Sequence, residues 1–414
     1  MRQAILLLHR WFGLGAALFL FLAGITGAVI SWDHELDDWL NPHLHRGTAQ
    51  GPVMDAVELA RQVEARDPRI RVVYLPLVAE PGETLPLFVL PKADPATGRL
   101  FEPGYNQLFL DPVSGHEVGR REWGQVWPIT TETFVSFLYR LHYSLHIPEI
   151  GGIDRWGVWL MGIIALGWSI DCFGGVFLTL PARRAAAGGR TWWARWAPAW
   201  KIRTGTSAYR FNLDIHRAFS LWTWGVLFLI AFTSFSLNLS REVFMPLMTL
   251  VSQPTPSPFD VRPRAPRHQP VEPGIGMGEA IAAARAEAAR RGWAEPAGAA
   301  GYSPSYGVYT VGFFHPGGDH GAAGVGPARL YFDGGDGRYL GDHIPWAGTA
   351  ADLFIQAQFP LHSGRILGLP GRILISVMGI VVATLSVTGV VIWWRKRASR
   401  NAARTMREVD AVKA

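Results

Sequence analysis

Four stretches of this chain run 22 residues or more with at most one charged side chain, and they decide what it can fold into. Residues 11–32, 218–240 and 373–394 carry no charge, and residues 156–182 carry one, Asp171. A helix needs about 20 apolar residues to cross the hydrocarbon of a bilayer, so all four are predicted membrane spans. The first is too long for a secretory signal and no small-residue cleavage pattern follows it, so it reads as a retained helix. Residues of the AVILMFWYC set make up 49% of the 414 positions and DEKR only 17%, which excludes disorder and disfavours a nucleic-acid-binding chain despite a net charge of +6.

The basic residues set the expected orientation. Segments 1–10, 183–217 and 395–414 hold 17 Lys/Arg against 3 Asp/Glu, whereas segments 33–155 and 241–372 hold 22 against 29. By the positive-inside rule both termini are expected in the cytoplasm and the two long segments outside. The predicted order is span 1 (4–32), outer domain 1 (33–133), a membrane-approach helix and loop (134–153) and span 2 (154–182). A basic aromatic loop (183–209), span 3 (210–240), outer domain 2 (241–349), a second approach segment (350–371), span 4 (372–394) and a basic tail (395–414) follow. Cys172 is the only cysteine, so no disulfide forms within the chain and neither c-type haem attachment nor a cysteine-held iron–sulfur cluster is available.

The chain is written twice. Leu8-His9-Arg10 followed by Phe12 and Leu14 opens span 1, and Ile215-His216-Arg217 followed by Phe219 and Leu221 opens span 3. Leu108-Phe109-Leu110-Asp111 with Gly115 and Gly119 matches Leu330-Tyr331-Phe332-Asp333 with Gly337 and Gly341, each reading as strand, turn, strand. Phe134-Val135 and Leu141-His142 match Phe354-Ile355 and Leu361-His362. The expected fold is therefore an integral membrane protein of two parallel span–domain–span repeats with two small α+β outer domains. Each outer domain is expected to pair one helix (about 53–65 and 277–291) with a small sheet. The expected strands lie near 71–77, 85–90 and 107–111 in the first copy, and near 306–314 and 328–333 in the second. Residues 253–273 and 316–327, rich in Pro and Gly, read as loops.

Most of the 13 histidines suit solvated loops: His34, His43, His45, His116, His268, His315, His320 and His343. His43 and His45 have a metal-like spacing, but the solvated reading is the better one. The repeat-related set differs. His9 and His216 open spans that run the same way and reach one depth in the inner leaflet, and His142 and His362 share a depth in the outer leaflet. Ionisable groups in a membrane are costly and mark function. Two imidazoles across a gap are what axial ligation of one haem iron requires. The competing reading of His-Arg at a helix start is an interfacial anchor. His146 lies four residues after His142 and is an alternative outer ligand, although His142 is the one that aligns with His362. From His9 to Trp32 a helix rises about 35 Å, room for one haem near each leaflet. Gly13, Gly15, Gly24 and Gly27 offer space for a macrocycle and Trp222, Trp224, Phe228 and Phe232 offer walls, although ordinary helix packing would use the same residues.

No nucleotide site is credible: Gly274, Gly276 and Gly278 lack the dinucleotide spacing, and no phosphate-binding loop occurs. The cytoplasmic loop 183–210 interleaves seven Arg/Lys with Trp192, Trp193, Trp196 and Trp200, which reads first as an interfacial segment on anionic lipid. Electrons would come from quinol or a separate cytoplasmic reductase. Asp171, which with Cys172 lies towards the inner half of span 2, receives no role beyond a contact inside the bundle or polarity on the side of the haem propionates.

The LHRWFGL and IHRAFSLW openings, the LFLDPVSG and LYFDGGDG strands, and the LHYSLHIPEIGGIDRWG and LHSGRILGLPGR runs resemble the PepSY-associated transmembrane-helix family over nearly the whole chain. The segment WSIDCFGGVFLTLP also resembles its siderophore-reductase branch. The resemblance implies a bacterial inner-membrane reductase with b-type haems, two by the pairing above, on His9, His216, His142 and His362. It implies reduction of a ferric siderophore outside the cytoplasmic membrane. Two other readings stand beside it: a membrane-anchored binding or regulatory module without chemistry, and a transporter of metal or metal chelate using Asp171 and the outer histidines.

Overall fold

The computed structural model describes residues 1–181 and 191–413, with side chains up to residue 406, so the first part of the basic loop (182–190) lies outside the described residues. The chain divides into a helical unit (Met1–Ser31, Leu138–Pro246 and Leu361–Ala414) and a sheet unit (Trp32–Phe137 and Leu247–Pro360). Among the described residues, three helices are long and apolar enough to cross a membrane, Arg2–Ile30, Trp156–Thr179 and Leu369–Met406. A fourth span is available if the pair Ala208–Trp222 and Trp224–Asn238 counts as one.

The expected span over 210–240 is thus broken in two, and its halves meet at 73°. Thr223 sits at the break with φ −111° and ψ 7°, and its hydroxyl donates to the Phe219 carbonyl at 2.7 Å. The Thr223 backbone N–H also keeps its bond to the Phe219 carbonyl, at 3.1 Å. The Trp224 indole N–H then reaches the Cys172 carbonyl at 3.0 Å, tying the second half to helix Trp156–Thr179.

Small residues set the helix spacing. A Cβ on Gly24 would lie 2.6 Å from the Gly379 carbonyl oxygen, and one on Gly379 would lie 2.4 Å from the Gly24 oxygen. Helices Arg2–Ile30 and Leu369–Lys413 thus touch backbone to backbone, as small residues allow in lipid, where apolar burial alone does not drive association. Gly24 is accordingly occupied by packing and leaves no space for a macrocycle. Arg372 caps this contact by donating twice to the Ser31 carbonyl, at 2.9 and 2.7 Å.

In the sheet unit, strands β1 (Ile70–Pro76), β2 (Leu85–Pro91), β3 (Gln107–Leu110) and β4 (Glu117–Arg121) follow helix Ala56–Arg66. Strands β5 (Ala297–Ser303), β6 (Val308–Phe313), β7 (Ala328–Asp333) and β8 (Tyr339–His343) follow helix Met277–Arg290. The two halves do not form separate small sheets, as the sequence led us to expect. They make one eight-stranded sheet in the order β4-β3-β2-β1-β5-β6-β7-β8. The join is antiparallel, with Tyr74 opposite Gly301, Leu75 opposite Ala300 and Pro76 opposite Ala299. Pairing β1 with β5 satisfies two edges that would otherwise expose unpaired N–H and C=O groups. Val57, Leu77 and Met277 pack against the buried clusters of both halves, so the core runs across the join.

The matched Asp111 and Asp333 close their turns as acceptors. Asp111 takes N–H bonds from Thr48, Ala49, Val113 and Ser114, all at 2.9–3.0 Å, and Asp333 takes the Gly335 N–H at 2.7 Å and the Arg262 guanidinium. Helix Asp33–Leu40, which the sequence reading left unassigned, is docked by Asp37, which receives Arg121 at 2.6 and 2.8 Å and His45 at 3.1 Å. His43 meets Glu132 at 2.8 Å. The two histidines of the metal-like spacing therefore contact two different carboxylates.

Candidate functional site

In the helical unit, four histidines pair off. The ring centres of His9 and His216 are 6.4 Å apart and those of His142 and His362 are 6.2 Å apart. An imidazole nitrogen lies about 2.0–2.1 Å from a bound transition metal and roughly 1.1 Å from its ring centre, so two rings sharing one metal in line have centres about 6.2–6.4 Å apart. Both observed separations match that value.

The neighbours of each ring fix which nitrogen is free. Thr26 donates its hydroxyl to the Leu22 carbonyl at 2.6 Å, so its 3.0 Å contact with His142 Nδ1 is one in which the oxygen accepts. Thr233 donates to the Leu229 carbonyl at 2.8 Å and accepts from His362 Nδ1 at 3.1 Å. Thr388 donates to the Thr384 carbonyl at 2.7 Å and accepts from His216 Nδ1 at 2.9 Å. His9 Nδ1 lies 2.9 Å from both carboxylate oxygens of Asp171. All four partners demand a proton on Nδ1, which leaves the Nε2 lone pair of every ring for a metal. Metal-bound histidines carry this kind of support on their other nitrogen.

Each of these bonds also joins two elements. Helix Arg2–Ile30 contributes His9 and Thr26, helix Trp156–Thr179 contributes Asp171, and the bent pair contributes His216 and Thr233. Helices Thr131–Ser144 and Ala350–Ser363 bring His142 and His362, and Leu369–Lys413 brings Thr388. Glycines let the rings approach: a Cβ on Gly27 would meet His142 Cε1 at 2.9 Å, and one on Gly389 would meet His216 Cε1 at 3.4 Å.

His146 does not share a helical face with His142. Helix Thr131–Ser144 ends before it, and Leu145 and His146 both have positive φ, 54° and 52°. The ring opposite His362 is His142.

A cavity of about 570 Å³ adjoins the first pair. His9, His216, Asp171, Cys172, Trp168 and Trp224 line it, with Gly13 at its wall. Its cations are Arg10, Arg217, Lys396, Arg397 and Arg400. Arg217 also donates to the Pro198 carbonyl at 2.7 Å and to Asp214 at 3.0 Å, whereas the Nε of Arg10 is buried without a hydrogen-bond acceptor. Trp224 stacks at 9° on Phe228, and Phe228 meets Phe232. Trp222 instead donates to the Trp200 carbonyl at 3.1 Å, beside the ring cluster of Trp192, Trp193, Trp196 and Trp200.

The model of the PepSY-associated TM region matches residues 6–396, almost the whole chain and all four histidines of the two pairs. The chain belongs to the PepSY-associated transmembrane family. A membrane protein carrying a PepSY-type sheet is what that membership and the apolar helices describe. No curated protein matches the chain.

Sequence reading missed the acceptors Thr26, Thr233 and Thr388, and it gave Asp171 a contact inside the bundle without naming His9. A signal for Thr26 and Thr233 was present: Thr26 follows His9 by 17 residues and Thr233 follows His216 by 17. In the sheet unit, His34, Asp319 and His320 bring ligand atoms within 4.8 Å of one another. There His34 pairs with Asp33 at 3.1 Å and His320 with Asp319 at 2.9 Å.

Proposed function

We propose that this family member is an oxidoreductase of the bacterial inner membrane that passes single electrons between two haem b groups and reduces an Fe(III)–siderophore in the periplasm. The observation that carries the reading is the pair of imidazole couples, 6.4 and 6.2 Å between centres, with every Nδ1 engaged. His9 and His216 would hold one group and His142 and His362 the other. The cationic residues Arg10, Lys396, Arg397 and Arg400 that line the cavity beside the first pair suit the propionates of haem b. When bound, haem supplies a one-electron Fe(III)/Fe(II) couple. The residues hold it in place: Asp171, Thr388, Thr26 and Thr233 keep each imidazole in the Nδ1–H form, and the glycines under the rings keep side chains out of the way.

The orientation rests on the excess of Lys/Arg in segments 1–10, 183–217 and 395–414, which supports cytoplasmic termini and a periplasmic sheet unit. The donor is quinol or a cytoplasmic reductase. At the far side, one electron converts chelated Fe(III) to Fe(II), and the hard oxygen donors of a siderophore hold Fe(II) far less tightly. The first outer segment carries 18 Asp/Glu against 11 Lys/Arg, which favours neutral or cationic complexes.

The test uses proteoliposomes of the full chain with reductant enclosed on the side of the termini and a trihydroxamate Fe(III) complex opposite. Fe(II) is trapped by a chromogenic chelator. Fe(II) should form with the wild type and fall to background with His216→Ala or His362→Ala. Equal rates in all three would defeat the proposal. Colourless wild-type protein would return the chain to a binding module or a chelate transporter.

A further inference from the structure

The four histidine supports are not alike. Three are threonine hydroxyls whose own proton is already given to a backbone carbonyl. The fourth is a carboxylate, with both Asp171 oxygens 2.9 Å from His9 Nδ1. The sequence marks this as a departure: Asp171 follows Arg155 by 16 residues, and Thr388 follows Arg372 by 16, so the two occupy matching places in the spans that carry them. One copy places a neutral acceptor there and the other an anionic one. Asp171 is also the one charged residue of its span, where a charge is costly and is kept for a purpose. Arg10, Lys396 and Arg397 line the same cavity.

Resting on the haem reading above, we infer that Asp171 is a positioning residue that makes the His9–His216 site the more reducing of the two and so directs electrons towards the His142–His362 site. A carboxylate draws the Nδ1 proton towards itself and pushes electron density to Nε2. The ligand becomes more basic, and the ferric state is favoured over the ferrous. A threonine oxygen that accepts from Nδ1–H polarises the ring less. A single electron from a quinol or protein donor, itself oxidised by one electron, therefore leaves the first site oxidised and the second reduced, and moves downhill.

The experiment is a spectroelectrochemical titration of the purified full chain, with haem counted by pyridine haemochrome in every sample. The wild type should show two one-electron midpoints. Asp171→Asn keeps an oxygen and removes the charge. It should raise the lower midpoint by about 59 mV or more, a tenfold change in a one-electron equilibrium, and leave the upper one in place. Thr233→Asp should lower the upper midpoint. Two haems in Asp171→Asn with both midpoints unchanged, or with only the upper one moved, would overturn the inference. If Asp171→Asn fails to keep haem, Thr233→Asp decides, and an unmoved upper midpoint overturns it. Wild type without haem refutes the haem reading instead.

Discussion

Replacing Thr388 by valine tests whether the threonine hydroxyls set the working nitrogen of each ring. The substitution keeps the shape of a residue that is only 7% exposed and removes the oxygen that accepts from His216 Nδ1 at 2.9 Å. Two outcomes are open to the imidazole. It keeps the proton on Nδ1, where a buried N–H without an acceptor costs about 1–3 kcal/mol, or it moves the proton to Nε2 and loses the lone pair a metal needs. Either route weakens binding, and loss of such supports elsewhere costs about 10–100-fold in metal affinity, which agrees with that energy. Thr388→Ser retains the oxygen and serves as the control. The assay is haem transfer from the purified chain to excess apo-globin, followed by absorbance. Thr388→Val should release the haem of one site about 10–100-fold faster, with the second site unchanged and Thr388→Ser close to wild type. Wild-type release by Thr388→Val, or equal loss in both variants, refutes the reasoning.

Other outcomes follow from the same geometry. Gly27→Val forces the His142 ring from a position where even a Cβ would be 2.9 Å from Cε1, and haem content should fall to about half by pyridine haemochrome. Gly24→Leu pushes a side chain into the Gly379 backbone. Overpacking of this kind costs about 1–3 kcal/mol, read as a lower unfolding temperature in detergent. In the sheet unit, Asp37→Asn leaves Arg121, whose side chain is 4% exposed, without its anionic partner. Breaking a buried pair costs about 3–5 kcal/mol, and urea unfolding followed by tryptophan fluorescence measures it. Burial alone would raise the Asp37 carboxyl, but hydrogen bonds from His45 and Arg121 hold it well below the usual carboxylate range. Burial likewise opposes ionisation of Asp111, and N–H donors of Ala49, Ser114, Val113 and Thr48 pull it well below that range. Both folded values lie under the unfolded value of 3.8, so their contribution is complete above it and is lost as pH falls towards the folded values. Stability should drop between about pH 4 and pH 2 in the wild type, and the drop should be shallower in Asp37→Asn.

How much of this was legible in the sequence depends on the residue. The spans were plain because charge-free runs of 22 residues have few other uses, and the four histidines stood out because the repeat placed them in matching positions. The bend at Thr223 was hidden, since residues 218–240 carry no charge and no proline that would mark a break. Strand β5 was hidden too: Ala-Gly-Ala-Ala-Gly-Tyr-Ser has little β propensity. Its small residues suit a crowded place, where a Cβ on Gly298 would meet the Phe314 ring at 2.7 Å. Without β5, the union of the two halves into one sheet could not be foreseen. Asp171 was noticed as an isolated charge but had no partner in a linear reading, because His9 lies 162 residues away.

The most direct measurement is the reduced-minus-oxidised spectrum of the purified chain, quantified by pyridine haemochrome. Two haem b per chain, falling to one in His216→Ala and to one in His362→Ala, is the predicted result. A spectrum with no Soret or alpha bands from protein made in haem-replete cells would contradict it.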